Sequence, residues 1–268
     1  MNKLLWPVLL SVLSLNAAAQ NDNSAGPDGG PDDGPPRWGV GLAAILNDSP
    51  YLGEGTRVLP IPLITYQGEN FYFRGITAGW TFTRSESFEL SAITKFRFDG
   101  FSVDDLGRKE LADNGIDYRL LEDRDIALDA GLAMKWSGSA GEIEIELLAD
   151  VTDTSGGQEV AIQYGYPMQF AGGRLTPGVG VTWLSEDNAN YYYGTLDDEV
   201  ARGLINYKPG AVTIPHVGAS YFRPLGENWS LLAAVKYSML PDEIQDSPFI
   251  EPDTNGTASV LIGISRGF

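Results

Sequence analysis

The feature that most constrains this chain is a regular alternation of apolar and polar side chains. From Trp38 onward the alternation recurs in segments of about ten residues, the length of a strand that crosses a bilayer. The clearest segment, 142–151, places Ile143, Ile145, Leu147, Ala149 and Val151 on one face and Glu142, Glu144, Glu146 and Asp150 on the other, with Leu148 as the exception. A period of two indicates a β-strand, and an apolar face opposite a charged face is typical of a membrane barrel.

Ten further segments carry a similar signal, and aromatic residues stand near several of their ends, as in the interfacial girdles of membrane barrels. The segments are 38–46, 58–66, 71–83, 88–98, 126–136, 157–166, 174–185, 212–223, 229–239 and 257–268. After residue 20, no apolar run approaches the roughly 18 residues that a transmembrane helix needs. Since strands can satisfy their backbone in lipid only within a closed sheet, we predict an all-β fold, a closed antiparallel transmembrane β-barrel.

The connections between these segments alternate between short and long. The short ones are 137–141, 170–174 and 224–228, and the long ones are 100–124, 186–211 and 241–256. Because membrane barrels have short periplasmic turns and long outer loops, the carboxyl terminus should be periplasmic. Eleven segments conflict with the even number expected of such a barrel. We predict twelve strands, with the missed one within 100–124, and keep ten as the alternative, in which two early segments form one strand.

The amino-terminal part of the chain differs from the rest. Residues 1–19 combine an early Lys3, a short apolar stretch and the sequence Ala17-Ala18-Ala19, which predicts a cleaved secretory signal peptide. Residues 20–37 are rich in Pro, Gly and Asp and predict a disordered acidic linker. The barrel is then expected to occupy residues 38–268.

Charge and cysteine content exclude several functions. The net charge of −18 would become −19 on cleavage, because Lys3 is the only charged residue before Ala19. Such acidity argues against nucleic-acid binding, which depends on Lys and Arg that neutralise phosphates. The absence of cysteine removes disulfides, thiolate nucleophiles and cysteine-based metal sites.

The charged faces of the strands predict a polar lumen. Its expected lining residues are Lys95, Arg97, Lys135, Glu142, Glu144 and Glu146. Alternate residues on a strand lie roughly 7 Å apart, so the glutamates form a stripe rather than a proton-sharing pair. The single histidine, His216, shares a strand face with Ser220 at roughly 13 Å, too far for a hydrogen bond. We therefore predict no catalytic residue, cofactor or metal, and keep a small-solute diffusion channel and then a barrel hydrolase as alternatives.

Two clusters of bulky residues fall in the long loops or at strand margins. They are Tyr191, Tyr192 and Tyr193, and Ser247, Pro248 and Phe249. Such side chains are either girdle anchors or contacts for a partner, and the sequence leaves both open. The chain ends in apolar residues spaced by two and then Phe268, which resembles the signal read by the barrel-assembly machinery, although an edge strand of any β protein could end this way. We expect that machinery and outer-membrane lipid as partners.

Several short stretches resemble the MipA/OmpV (MltA-interacting protein) family of outer-membrane proteins. The stretches are Pro60-Ile61-Pro62 with Tyr66, the run from Gly68 to Gly75, the run from Asn190 to Gly194, and Asp246-Ser247-Pro248. The resemblance extends over residues 38–268, nearly the whole mature chain. The chain departs from the family in its acidic linker and in Arg266, where an aromatic or apolar residue is usual.

The resemblance implies a location and a function. It implies a protein of the outer membrane of a Gram-negative bacterium, and a scaffold rather than an enzyme. The implied partners are murein-remodelling enzymes, namely a lytic murein transglycosylase and a peptidoglycan synthase.

Overall fold

Strands make up most of residues 36–268, the part of the chain that the computed structural model describes. Thirteen strand segments are assigned within that range: β1 (Trp38–Asp48), β2 (Thr56–Gln67), β3 (Phe71–Arg74), β4 (Thr77–Arg84), β5 (Phe88–Arg97), β6 (Ala127–Gly138), β7 (Gly141–Asp150), β8 (Gln158–Gly165), β9 (Met168–Phe170), β10 (Gly173–Leu184), β11 (Val212–Leu225), β12 (Trp229–Met239) and β13 (Gly256–Gly267).

The segments form a closed antiparallel barrel of twelve strands. Neighbours in sequence pair with each other, and β13 pairs with β1 to close the sheet. Segments β8 and β9 pair with successive parts of β10, so together they form one interrupted strand. The interruption falls at Tyr166 and Pro167, and proline cannot donate a ladder hydrogen bond. The predicted fold and strand number are confirmed.

The predicted position of the missed strand is wrong. The segment 100–124 contains no strand, and it forms a short helix and two 3₁₀ turns instead. The missing strand lies in 71–83, which folds back on itself as the β3–β4 hairpin. Its turn contains Gly75, whose φ of 63° is a left-handed conformation that glycine adopts without strain. Only two residues separate the two strands, so the sequence of this segment looked like a single long strand.

Alternate side chains of the strands differ in exposure, as a wall with two sides requires. Ile143, Ile162 and Ile262 point outward and are 43%, 42% and 54% exposed, whereas Glu146 and Glu159 point inward and are buried. An apolar outer surface around a polar interior is the arrangement of a lipid-embedded barrel. Among residues 36–268, no helix is long and apolar enough to cross a bilayer.

The two ends of the barrel have very different connections. At one end each turn has two or three residues. At the other end the loops are long except for the β3–β4 turn, and the helices lie there: α1 (Arg108–Asp113), α2 (Glu186–Tyr193), α3 (Asp197–Ala201) and α4 (Asp242–Gln245), with 3₁₀ turns at Val103–Asp105 and Tyr118–Leu120. The short turns are the periplasmic end by the rule for such barrels.

Four outer loops pack together into a cap, which we define as residues 49–55, 98–126, 185–211 and 240–255. The cap has its own buried core, whose largest apolar side chains are Tyr51, Leu52, Leu111, Tyr192, Tyr193, Ile244, Phe249 and Ile250. Inward residues at the outer strand ends, such as Leu184 and Ile214, join this core. The cap is therefore seated on the mouth of the barrel.

Two cap loops meet at a pair of glycines. The N–H of Gly107 donates to the carbonyl of Leu52 at 2.9 Å, and a Cβ on Gly53 would stand 2.4 Å from the Cα of Gly107. We expect Gly53→Ala to lower the free energy of unfolding by about 2–4 kcal/mol, because it adds this clash to the strain of a φ of 69°.

The matched control for Gly53→Ala is Gly55→Ala. Gly55 has a φ of 66° but nothing within 4 Å of its would-be Cβ, so only the conformational strain of about 1–2 kcal/mol applies. Urea unfolding of both variants in phospholipid vesicles measures the difference. Equal losses would contradict the close approach of the two loops, because the added methyl of Gly53→Ala would then meet no obstacle.

Exposed aromatic side chains surround the periplasmic end. They are Trp38, Phe71, Trp80, Phe82, Trp136, Tyr164, Tyr166, Phe170, Trp229 and Phe268. Phe268 donates its N–H to the carbonyl of Trp38 at 2.8 Å, beside the seam between β13 and β1. Its role as an assembly signal stays a prediction. The predicted signal peptide, 1–19, and all but the last two residues of the predicted linker, 20–37, lie outside the described residues.

Candidate functional site

The inward faces of β5 to β8 carry most of the interior charge. The Nζ of Lys95 lies 2.9 Å from a carboxylate oxygen of Glu146. The guanidinium of Arg97 contacts the carboxylates of Asp129 and Glu159 at 2.6 Å each, and that of Asp99 at 3.0 Å. Since β5 and β8 are three strands apart, Arg97 reaches across part of the lumen. One guanidinium therefore holds three carboxylates together inside the barrel.

The other predicted lining residues lie nearer the periplasmic end. Lys135 and Glu142 are 2.8 Å apart, and Arg174 approaches the same carboxylate at 3.5 Å. Glu144 lies between Glu142 and Glu146 on the inward face of β7. The structure thus divides the six predicted residues into a group around Lys95 and Arg97 and a second group around Lys135. Both groups are held by ion pairs between strands, and neither contains two carboxylates that share a proton.

A cavity beneath the cap contains His216. Its lining includes His216, Lys236 and Ser238, with Asp99 and Glu159 from the charged group. Ser238 is the direct cross-strand neighbour of His216. The sequence analysis did not identify this serine as a neighbour of His216. Both nearby carboxylates are bound by Arg97, so neither is placed as the acid of a Ser-His-acid hydrolase. Among the described residues, no group of three or more His, Cys, Asp or Glu residues could hold a metal ion.

The opposite part of the interior wall is apolar. Ala43, Ile45, Ala234 and Leu261 are buried there, and Ile61, Leu63, Phe98 and Leu232 pack against them. We call this set the apolar strip, and it follows the inward faces of β12, β13, β1 and β2. A hydrocarbon-like interior surface is unusual, because barrel interiors are normally polar. The lumen is therefore amphipathic, with charge on one wall and hydrocarbon on the other.

The tyrosine cluster belongs to the cap and not to a girdle. Tyr191, Tyr192 and Tyr193 form the last turn of α2, and Tyr192 and Tyr193 are 0% and 1% exposed. Burial raises the pKa of the Tyr193 hydroxyl, which therefore stays neutral. Phe249 is buried in the same core, and the hydroxyl of Ser247 donates to the carbonyl of Tyr193 at 2.6 Å.

These positions correct the sequence-based interpretation of both clusters. The side chains of Tyr192, Tyr193, Ser247 and Phe249 are buried. These residues are therefore neither exposed girdle anchors nor exposed contacts for a partner. The carbonyl of Pro248 accepts a hydrogen bond from the side-chain amide of Asn114 at 3.3 Å. Both clusters therefore join loops to one another within the cap.

A buried ion pair joins two loops of the cap, and no pattern in the sequence indicated it. Arg124 and Glu199 have fully buried side chains, and their nearest N and O atoms are 2.8 Å apart. Arg124 also donates to the carbonyls of Glu122, Tyr191 and Gly194. The same oxygen of Glu199 also accepts from the N–H of Leu196 at 2.7 Å, and its other oxygen accepts from the N–H of Glu122 at 2.8 Å. Because each charge has several partners, the pair is fully compensated in a site without water contact.

Among residues 36–268, strand β9 leaves one of its edges unpaired at the periplasmic rim. Strand β9 pairs with β10 on one side only, because β7 begins at Gly141 and does not extend far enough to flank it. Met168 and Phe170 on this strand are 40% and 58% exposed. An unpaired edge with apolar side chains is a surface to which another chain can add.

Comparison with known proteins identifies the family. The profile of the family described as MltA-interacting protein MipA matches residues 40–268. The chain belongs to this family. The resemblance inferred from the short stretches is therefore confirmed.

Relatives in the MltA-interacting protein family are similar over most of their length. The putative outer membrane protein YiaT of Escherichia coli (strain K12) is 34% identical over 233 residues, which cover 85% of this chain and 90% of the relative. The MltA-interacting protein of the same strain is 31% identical over 233 residues, with coverage of 87% and 90%. Among solved structures, the NanC porin matches with a TM-score of 0.48 and 8% identity over 85% of this chain and 100% of that chain.

The comparisons also place this family member in the cell. Its relatives include proteins named as outer membrane proteins, and its fold is a closed barrel with an apolar outer surface. The chain is an outer-membrane protein, as the sequence predicted. Family and fold alike are those of outer-membrane barrels.

Proposed function

We propose that this chain is a non-enzymatic scaffold that binds murein-remodelling enzymes beneath the outer membrane. The partners are a lytic transglycosylase and, in the same assembly, a peptidoglycan synthase. The observation that carries the proposal is the relative named MltA-interacting protein, which is 31% identical across 87% of this chain.

The cap supports binding over transport. Its core packs onto inward residues at the outer ends of β10 and β11, and ion pairs from Arg97 cross the lumen below it. A solute would have to pass both. A barrel that is closed at its outer end still presents its periplasmic end to soluble enzymes.

The unpaired edge of β9 is the contact that we propose for the transglycosylase. It is periplasmic, and it offers backbone groups together with the exposed side chains of Met168 and Phe170. Main-chain pairing supplies affinity in such contacts, and exposed apolar side chains supply specificity.

The test is copurification from gently solubilised envelopes. The tagged wild-type chain should retain a lytic transglycosylase, identified by mass spectrometry. Replacing Met168 and Phe170 together by Glu should lower the retained amount about tenfold or more, because two apolar anchors of the contact are lost.

The matched control is Ile205→Glu, which changes an apolar side chain of similar exposure, 62%, at the cap end of the molecule. It should leave copurification unchanged. Heat-modifiable migration on SDS gels confirms that every variant is folded. If no murein enzyme copurified with the wild-type chain, the scaffold proposal would be wrong. If the β9 variant retained as much transglycosylase as wild type, the proposed contact at β9 would be wrong.

A diffusion channel is the second candidate, and the charged wall of the lumen favours it. Planar-bilayer recording separates the two functions. A channel would give stable conductance steps whose ion selectivity changes in Glu144→Lys, whereas the scaffold with its closed cap gives none.

A further inference from the structure

The barrel wall is incomplete between β2 and β5. Strand β3 pairs with β2 only at residues 65–67, and the β3–β4 hairpin turns at Gly75, far below the cap. Among the described strands, none pairs with 56–63 on the side away from β1. Above this gap, the contact between Leu52 and Gly107 joins the cap loops. We call the opening framed by β2, β5, the hairpin and this contact the window.

The edge of β2 that faces the window lacks two backbone N–H donors, because prolines occupy two of its positions. The carbonyl of Ile64 accepts from the N–H of Gly75, so even-numbered residues of β2 direct their backbone groups away from β1. The N–H of Gln67 donates to Arg37, toward the other side, which agrees with this alternation. Pro60 and Pro62 therefore stand where N–H groups would point into the window. Because proline has no N–H, this edge cannot pair regularly with a further strand.

The window opens from lipid onto the apolar strip. On the outer surface, Val58 and Ile64 are 62% and 43% exposed. On the inner surface of the same strand, Ile61 and Leu63 belong to the apolar strip. Phe98 follows the last residue of β5 and packs against this strip, although the neighbouring Phe96 points outward and is 47% exposed. The ring of Phe98 therefore lies at the lumen side of the window, and its centroid is 6.1 Å from that of the outward Phe96 ring.

We propose that the window admits one acyl chain of a membrane lipid into the lumen, where it lies along the apolar strip after Phe98 moves aside. Lipid is the neighbour of this opening in the outer half of the membrane, and hydrocarbon matches the strip that the window exposes. A strand from a second chain is the other conceivable occupant, and the prolines oppose it. This inference is independent of any murein enzyme.

The test is photocrosslinking of the whole barrel in nanodiscs of phosphatidylethanolamine and phosphatidylglycerol. A diazirine amino acid is placed at position Leu63, and intact mass reports an added phospholipid. We expect a phospholipid adduct that rises several-fold in Phe98→Ala. The control is Phe82→Ala, which removes an outward ring that is 59% exposed at the periplasmic end of β4, away from Phe98, and it should leave the adduct unchanged.

Two further label positions calibrate the result. A label at Ile64, on the lipid side, should give adducts in every background, and a label at Leu148, buried on the inner wall of β7, should give none. Labels at Ile61 replace those at Leu63 if the latter variant loses heat-modifiable migration. An adduct at Ile64 without one at Leu63 or Ile61, even in Phe98→Ala, would overturn the proposal. Covalent dimers from Leu63 would overturn it in favour of a second copy.

Discussion

Arg124→Ala should lower the stability of the cap by about 3–5 kcal/mol, the usual result of removing one partner of a buried ion pair. The change leaves the carboxylate of Glu199 buried without its countercharge, and it leaves the carbonyls of Tyr191 and Gly194 without a donor. Hydrogen exchange of residues 185–211 and urea unfolding in vesicles would measure the local and global parts of the loss.

Arg119→Ala is the matched control for Arg124→Ala. Arg119 pairs with Asp117 at 2.6 Å, but its side chain is 71% exposed and solvent screens the pair, so its loss should leave the urea midpoint unchanged. Combining Arg124→Met with Glu199→Met should recover part of the lost stability, since no unpaired charge remains. A loss in Arg124→Ala as small as that of the control would contradict the role of the pair.

Arg97→Met should be similarly costly, again about 3–5 kcal/mol, because it leaves Asp99, Asp129 and Glu159 without the guanidinium that joins them. The methionine keeps much of the aliphatic bulk, so the lost charge dominates the effect. Urea unfolding from phospholipid vesicles, followed by tryptophan fluorescence, would measure it.

The control for Arg97→Met is Arg84→Met. Arg84 pairs with Glu89 at 2.7 Å at the exposed periplasmic end, where solvent screens the pair and the loss should stay below about 1 kcal/mol. Adding Asp129→Asn to Arg97→Met should restore stability, because one repelling charge is removed. No recovery, or equal losses in the two arginine variants, would contradict the electrostatic explanation.

The wall of the barrel was predictable because alternation is a local property of the sequence. The segment 142–151 corresponds to β7, and 229–239 matches β12 residue for residue. The β3–β4 hairpin was missed, because a two-residue turn at Gly75 leaves no polar loop between the strands. In β3 the inward positions are even-numbered, such as Tyr72, whereas in β4 they are odd-numbered, such as Gly79. This change across the turn is apparent only once the strand pairing is known.

The interior of the cap was not predictable in the same way. The start of α2 carries a local signal, since Ser185 precedes two acidic residues and its hydroxyl accepts from the N–H of Asn188. The burial of Tyr193 depends instead on Tyr51 and Ser247, which are far away in sequence. Arg124 and Glu199 are 75 residues apart, and no periodicity relates them. A charged pair of this kind looks like surface until its surroundings are known.

The cap also has a place in the order of assembly. Its core takes residues from loops as distant as those of Tyr51 and Ile250, which form a backbone bridge across the β13–β1 seam. That bridge can form only when the first and last strands have met. Contacts of such long sequence separation form slowly, since much chain must be ordered before they contribute. A chain arrested before its ends meet would expose Tyr51, Tyr193 and Phe249 to proteases and chaperones, so a finished outer surface marks a finished barrel.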